Sequence, residues 1–336
     1  MKLSVCIPTH ERHRLLEQRC LPSLLQQTRL PDEVVVADSS TGTGLPEFYQ
    51  EWERRFHPIS FSYVRTEGRS VVQNRWAAFS RSTGDVVLFA DDDIQFSKEA
   101  IADLLSAFET HSPAGVGMKI HYEGPTPKPT LGRRWASWWQ GDARSEVHSI
   151  SPGGRSSFGA GGVDGQPAQV QWLAGGAMAF CREALLAVGP LPGLNDLFRL
   201  RISSSADTVL SNQVAQRGRL LLLTQALAWH PEGRIATSTV TSSDGWRKGL
   251  ADTVGVAHIF HWLARDQSAV LHVWLVSATL GWARAVRAVL RRPFSPGSWL
   301  RLSGFLYGSI VTLLIWRGIP DTPRASAVVS RKWLFL

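Results

Sequence analysis

Three consecutive aspartates, Asp91, Asp92 and Asp93, follow the strand-like run Asp85–Ala90 (DVVLFA). Strand alternation predicts that Asp91 and Asp93 share one side while Asp92 points away. Two carboxylates that close repel each other unless a cation lies between them. Mg²⁺ or Mn²⁺ suits such a pair, because these ions are held by one or two carboxylates together with substrate phosphates. The same run also reads as a solvated loop that caps the next helix. Asp38 holds a similar place after the buried run Val34–Ala37. It reads either as a ligand-facing acid or as the start of an Asx turn.

The elements that position these acids follow from hydrophobic pattern. Leu3–Ile7, Val34–Ala37, Phe61–Arg65 and Asp85–Ala90 read as strands. Between them lie helical patterns: one around Leu15, Leu16, Leu24 and Leu25 with a kink at Pro22, and one over Val71–Ser80; Ala100–Phe108 follows. Strands apolar on both faces, alternating with helices, predict an α/β fold with a mostly parallel sheet flanked by helices. Ligands of such sheets bind beyond the carboxyl ends of the strands, where Asp38 and Asp91–Asp93 stand. Residues 111–170, rich in Gly, Pro, Ser and Arg with Trp135, Trp138 and Trp139 inside, predict a long irregular, mobile excursion with one hairpin. Order resumes at Val170–Phe180. A helix at Arg182–Val188, another near Asp207–Arg217 and a strand at Leu220–Leu223 close a domain spanning residues 1–240.

Composition narrows the class. The chain has 336 residues, 44% hydrophobic and 19% charged, which excludes a disordered, collagen-like or disulfide-stapled protein. Its net charge of +8 is unevenly spread. From Arg247 onward there are 12 Lys and Arg against 3 Asp and Glu, whereas the first 246 residues hold 24 against 25. A globally basic nucleic-acid binder is therefore the wrong picture. A basic, Trp-rich, helical region over 241–336 fits an anionic membrane surface better. Cys6, Cys20 and Cys181 form no CxxC pair and point to a reducing compartment. Residues Met1–His13 show no signal-peptide core, so a cytoplasmic location is expected.

Five segments taken in order, SVCIPTHER, DEVVVADSS, GRSVVQNRWAAFSRSTGDVVLFADDD, WLAGGAMAFCREAL and SADTVLSNQVAQRGRLLLLTQALAWH, resemble the successive blocks of family 2 glycosyltransferases. The likeness runs from Lys2 to His230, about two-thirds of the chain. It implies the nucleotide-sugar-binding GT-A fold and inverting sugar transfer from a nucleoside diphosphate donor. By the same resemblance Pro8, Thr9 and Glu11 lie against the nucleotide, and Asp38 accepts a hydrogen bond from a uracil or thymine ring. Arg69, Asn74 and Arg75 fall in the polar stretch that offsets diphosphate charge. Asp91 and Asp93 form the metal-binding DxD with Asp92 between them, Asp93 being the direct ligand, and His230 completes the metal or diphosphate site. Asp207 takes the general base's place, with Asp196 in reserve. Trp172, Gly175 and Gly176 border the acceptor, Trp172 being equally readable as core. The family pairs the base with a second acid, and this chain has Ala206 there. Cys181 reads as packing.

The resemblance thus implies a UDP- or dTDP-sugar donor, Mg²⁺ or Mn²⁺, and a hydroxyl acceptor. In the last quarter, Gln267–Ala283 and Leu302–Trp316 are uncharged runs of 17 and 15 residues, short for spanning a bilayer. Arg284, Arg287 and Arg291 lie on one stripe, and Trp274, Trp282, Trp299, Tyr307 and Trp316 suit headgroup depth. A monotopic hairpin on the inner leaflet and a lipid-linked glycan acceptor follow as expectations. A soluble helical cap packed on the catalytic domain or across a dimer, and a two-helix span, are the alternatives. Two other functions compete: a GT-A domain that has lost catalysis, favoured by Ala206, and a nucleotidyltransferase, whose Gly-rich, Lys-bearing N-terminal signature is missing from IPTHER.

Overall fold

The computed structural model describes residues 1–42, 44–67, 70–123, 131, 148–154, 156–157, 165–191, 205–231, 245–264 and 267–315. Arg69, Asp196, Trp135, Trp138, Trp139 and Trp316 lie outside these residues. Strands β1 (Leu3–Thr9), β2 (Glu33–Asp38) and β4 (Val86–Ala90) are buried along their whole length. That is what their two-faced apolar sequences require, and it places them in the middle of the sheet. β3 (Ser60–Arg65) alternates and takes the edge. Also present are β5 (Gln95–Phe96), β6 (Gly115–Tyr122), β7 (Ser149–Ile150), β8 (Ser156–Ser157), β9 (Ala168–Val170), β10 (Ala177–Cys181) and β11 (Leu220–His230).

The main sheet runs β3-β2-β1-β4-β10-β6-β11-β5, with β9 also on β11. β3, β2, β1 and β4 are mutually parallel, as are β6 and β11. β10 enters antiparallel between β4 and β6. One face is covered by the helical segments of residues 13–25 and by the helices Leu45–Phe56 and Ala100–His111, through Leu21, Trp52, Phe56 and Leu104. Val71–Arg81, Arg182–Val188 and Ala206–Ala215 cover the other, through Phe79, Leu185 and Val214. Chain order reverses at β1, whose neighbours are β2 and β4. The crevice beyond the carboxyl ends of β1 and β4 is thus the switch point where such sheets bind ligands.

One strand lies where an irregular excursion is expected. β6 occupies residues 115–122, inside the 111–170 stretch, and pairs with both β10 and β11. Its glycines hide it in the sequence. A Cβ at Gly115 would stand 2.7 Å from Phe180 Cδ1, and one at Gly117 2.9 Å from Leu173 Cδ2. These positions are bare because larger neighbours fill them. The hairpin expected in this stretch is the pair β7–β8.

The last quarter is helical, with Gly245–Leu250, Ala251–Gly255 as a π turn, Val256–Leu263, Gln267–Arg291 and Pro296–Ile315. Ile259 and Leu263 pack on Val72, Trp172 and Val209 of the sheet domain. His258 is buried, accepts the Trp262 indole N–H at 3.0 Å, and is pushed down to about 4 by burial and then by His261. Close crossing joins the first and last of these helices, because a Cβ at Gly249 would lie 2.2 Å from Phe305 N. Gln267–Arg291 extends beyond its uncharged run to 25 residues, about 37 Å at 1.5 Å per residue. The reading that both apolar runs are too short to span is corrected for this helix. Among the described residues it is the one helix long and apolar enough to cross a membrane, over Ala269–Arg291.

Candidate active site

Site residues meet at the carboxyl ends of β1, β2 and β4. The chain turns after Ala90, Ile94 N–H donating to Asp91 O at 3.3 Å. That turn breaks the alternation expected for the three acids. Asp91 faces Arg75, while Asp92 and Asp93 share Arg12. Asp92 does not point away from the protein. It is buried, accepts from Thr9 Oγ1 at 2.7 Å and meets Arg12 Nη1 at 3.1 Å. Burial, opposed by Arg12 and Thr9, pushes its carboxyl up to about 7. Burial likewise raises Asp91, against the pull of Arg75.

Asp93 is the deepest of the three in charged company. Its Oδ2 is bonded by Arg12 and lies 3.3 Å from His230 Nε2, and Arg19 Nε donates to its backbone carbonyl at 2.9 Å. Its Oδ1 is buried without a hydrogen-bond partner. A buried carboxylate oxygen left unpaired is costly, and a hard cation satisfies it. Among the described residues no three His, Cys, Asp or Glu side chains converge as a ready-made cage. That suits Mg²⁺ or Mn²⁺, which keep most of their shell for water and phosphate. Asp93, through its unpartnered Oδ1, is the residue that fits the expected ion, whereas Asp91 is turned to Arg75 and His230 lies against Asp93 Oδ2.

The base end is built differently from its sequence reading. Asp38 is fully buried. Its Oδ1 accepts from Ser40 N at 2.8 Å and Ser40 Oγ at 2.5 Å; its Oδ2 accepts from His13 Nε2 at 2.7 Å and Tyr49 OH at 2.8 Å. Burial would raise its pKa, but the bonds from Ser40, His13 and Tyr49 outweigh that and hold it below the ordinary carboxylate value. Four bonds use the full acceptor capacity of a carboxylate. The Asx-turn reading is realised in the Ser40 bond, and a ring N–H reaches Asp38 only by displacing a partner.

The other nucleotide-side candidates tie loops together. Pro8 is paired with Ala37 inside the sheet, and Thr9 is held by Asp92. Glu11, at φ 54°, accepts from Thr41 N at 2.8 Å and Oγ1 at 3.0 Å, and these bonds lower its pKa. Asn74 is buried and donates to Thr9 O and Ser39 Oγ, both at 3.1 Å. Asn74 thus fixes the β1 and β2 ends; its side chain is not displayed to a diphosphate.

Arg75 links the acids. Its Nη2 donates to Asp91 Oδ1 at 2.9 Å and to Gly175 O at 2.8 Å. Gly175 N–H in turn donates to Asp207 Oδ2 at 2.9 Å. A Cβ on Gly175 would sit 3.0 Å from both Arg75 Nη2 and Asp207 Cβ, so this glycine lets the two side chains close around it. At Gly176 a Cβ would press on Ile120 and Ile94 at 3.0 and 3.2 Å. Asp207 opens the helix Ala206–Ala215, and its Oδ1 accepts from Thr208 N at 2.8 Å. Ala206 lies in the apolar cluster of Val72, Trp172 and Val209, where an acid would be largely removed from water. Trp172, expected as an acceptor wall, is core: it is 1% exposed and stacks on His148 with centroids 4.6 Å apart. Cys181 is a free, partly buried thiol in β10, as a packing role requires.

Sequence reasoning missed Arg12, His13, Arg19 and Tyr49. Three clustered acids demand counter-charge, and HERHR after the first strand is a basic run, so the signal existed for Arg12 and His13.

Comparison with known proteins fits this geometry. Residues 4–158 match the model of the family described as glycosyl transferase family 2. An uncharacterized glycosyltransferase of Bacillus subtilis (strain 168), YfnE, is 28% identical over 109 residues, 32% of this chain and 27% of that protein. The chain thus matches about a quarter of that relative's length. Among solved structures, GalNAc-T7 with UDP, GalNAc and Mn²⁺ has a TM-score of 0.55 at 17% identity, covering 69% of this chain and 44% of its own. S. aureus TarS 1-349 scores 0.52 at 17% identity over 97% of this chain and 87% of its own. The mannosyltransferase PcManGT from Pyrobaculum calidifontis, with GDP-Man and Mn²⁺, scores 0.50 at 17% identity over 94% and 88%. These likenesses establish a GT-A fold.

Proposed function

We propose that the chain, whose residues 4–158 match the glycosyl transferase family 2 model and whose fold is GT-A, is a family 2 glycosyltransferase that moves a sugar from a UDP- or dTDP-sugar to a hydroxyl of a lipid-linked glycan, with inversion. One observation carries the reading: a single arginine joins the acids beyond β4 to a carboxylate on the opposite wall, through Asp91–Arg75–Gly175–Asp207. Donor diphosphate and acceptor hydroxyl would meet between those walls.

Asp207 accepts the proton as the acceptor O–H bond breaks. The freed oxygen pair forms the new bond to the anomeric carbon. The bond to the diphosphate breaks on the opposite side, and its electron pair leaves with the diphosphate. Mg²⁺ or Mn²⁺ at Asp93 would neutralise that leaving charge when bound. Arg75 aligns Asp91 and opposes the effect of its burial, and Gly175 N–H holds one oxygen of Asp207, leaving the carboxylate a defined direction. The structural neighbours solved with Mn²⁺ and UDP or GDP-Man support a nucleotide-sugar donor with a divalent ion, and the choice of base rests on the residues of this chain. A thermal-shift titration with UDP, dTDP and GDP, each with and without Mn²⁺, tests the proposal. UDP or dTDP should raise the melting temperature only modestly alone and several degrees more with the ion. Equal shifts for all three diphosphates, or none, would refute the donor assignment.

The helical hairpin supports an inner-leaflet location. Leu271, Leu275 and Trp282 on one helix, and Leu306, Ile310 and Leu313 on the other, are exposed, and Phe294 at the turn is 98% exposed. Arg287, Arg291 and Arg292 flank the turn. Among the described residues of 245–315, Asp252 is the one acid, and it pairs with Arg301 and Arg284. An apolar face with unopposed positive charge matches anionic lipid. The full chain should float with vesicles containing anionic phosphatidylglycerol and not with phosphatidylcholine alone. Replacing Arg287, Arg291 and Arg292 by Glu should abolish flotation; flotation that persists in this variant would refute the charge-based reading, and a wild-type chain that does not float would favour a soluble cap or a homo-oligomer.

A further inference from the structure

Asp38 cannot meet a nucleobase while its four acceptor positions are filled, yet the residue bonded to it can. His13 Nε2 lies 2.7 Å from Asp38 Oδ2, and its side chain is 26% exposed at the mouth of the β1–β2 end. The carboxylate is held ionised, so Nε2 must carry the proton of that bond. In the neutral ring the remaining nitrogen, Nδ1, is then an acceptor. Among the described residues Nδ1 has no hydrogen-bond partner. The ring is fixed edge-on by Phe48 and Tyr49, at centroid distances of 5.4 and 6.3 Å, and Tyr49 is itself stacked on Tyr63 at 4.1 Å. Tyr49 OH shares Asp38 Oδ2 with His13, so tautomer and ring plane are set together. The neighbouring residue, Arg12, touches Asp92 and Asp93. A nucleoside diphosphate with its phosphates at those acids therefore brings its base within the span of this loop.

Resting on the donor reading above, we propose that His13 is the base-reading residue: Nδ1 accepts the ring N3–H of uracil or thymine, and Asp38 acts behind it as a positioning residue. Uracil and thymine carry that N–H, whereas cytosine presents an acceptor at the same place. Two lone pairs then face each other, which gives discrimination without direct contact to Asp38. Arg12 and Glu11 on the same loop, His10, and the Asp38–Tyr49 pair are the charged or titratable groups around the ring.

The test is calorimetric binding of UDP, CDP and N3-methyl-UDP to the full chain with Mn²⁺. Wild type should prefer UDP over the other two by at least about tenfold, the scale of one directed hydrogen bond. His13→Phe keeps the ring without its nitrogens, and it should bring UDP and CDP within about twofold. His13→Gln retains a donor for Asp38 and an acceptor oxygen, and it should restore part of the preference. Undiminished UDP preference in a folded His13→Phe would overturn the assignment and return the role to Asp38. Equal affinity of wild type for UDP and N3-methyl-UDP would overturn it without any variant. Failure of all three nucleotides to bind would instead remove the donor reading and this inference with it.

Discussion

Asp93→Asn should abolish sugar transfer, with kcat/KM falling at least about a thousandfold, the scale of losing a group that stabilises transition-state charge. The fold should survive. Asp93 is buried beside Asp91 and Asp92, and one of its oxygens has no partner, so its charge is a burden in the protein alone. The amide removes that charge but cannot serve as an anionic ligand for a divalent ion. Arg12, 44% exposed at its side chain, keeps Asp92 and reaches solvent, so its loss is small. The melting temperature in metal-free buffer should therefore hold or rise, while the added shift with Mn²⁺ plus UDP disappears. A pH signature accompanies this. The Asp92 carboxyl is raised to about 7 when folded, above its unfolded value near 3.8. Between those values the folded state binds more protons, so stability falls as pH rises from about 4 to about 7. Removing the neighbouring charge at Asp93 lowers the Asp92 pKa and should flatten that slope. A variant with near-wild-type transfer would exclude Asp93 as the ion's ligand.

The sheet domain was legible because its strands obey one rule. β1, β2 and β4 are apolar throughout and therefore central, and the acids that follow them necessarily stand at the ligand-binding edge. β6 was hidden because glycine weakens a strand pattern, although Gly115 and Gly117 are there to admit Phe180 and Leu173. Within the site, positions were readable and partners were not. Asp38 stands where the pattern puts it, but no spacing reveals that Tyr49, 11 residues on, and His13, 25 residues back, close over it. Trp172 shows the opposite failure. A tryptophan beside two glycines suggests a sugar platform, yet Ile259 and Leu263 of the last quarter bury it. The sequence of the site segment carries no trace of that packing, since the helix that covers Trp172 lies some 90 residues later.

Asp207→Asn should lower kcat by about 10²–10⁴, the usual contribution of a positioned general base, with donor affinity unchanged. The substitution is nearly isosteric. Asn Oδ1 can still accept from Gly175 N–H, but the amide then turns a donor toward Thr208 N–H, losing one hydrogen bond worth about 1 kcal/mol. The first-turn negative charge, worth about 0.3–1 kcal/mol at a helix N-terminus, is lost too. Neither effect unfolds the domain, so binding and catalysis separate cleanly in this variant. That separation decides between an enzyme and a binding scaffold. Ala206 was the feature favouring a scaffold, but its methyl lies in the apolar Val72–Trp172–Val209 cluster, where a second acid would be largely removed from water. Asp207 is oriented by the N–H groups of Gly175 and Thr208, and Arg75→Leu should reproduce part of its effect by freeing Asp91 and the Gly175 carbonyl together. Metal-dependent turnover of a UDP-sugar that persists at the wild-type rate in Asp207→Asn would place the base elsewhere. Donor binding with no turnover in either protein would establish the scaffold.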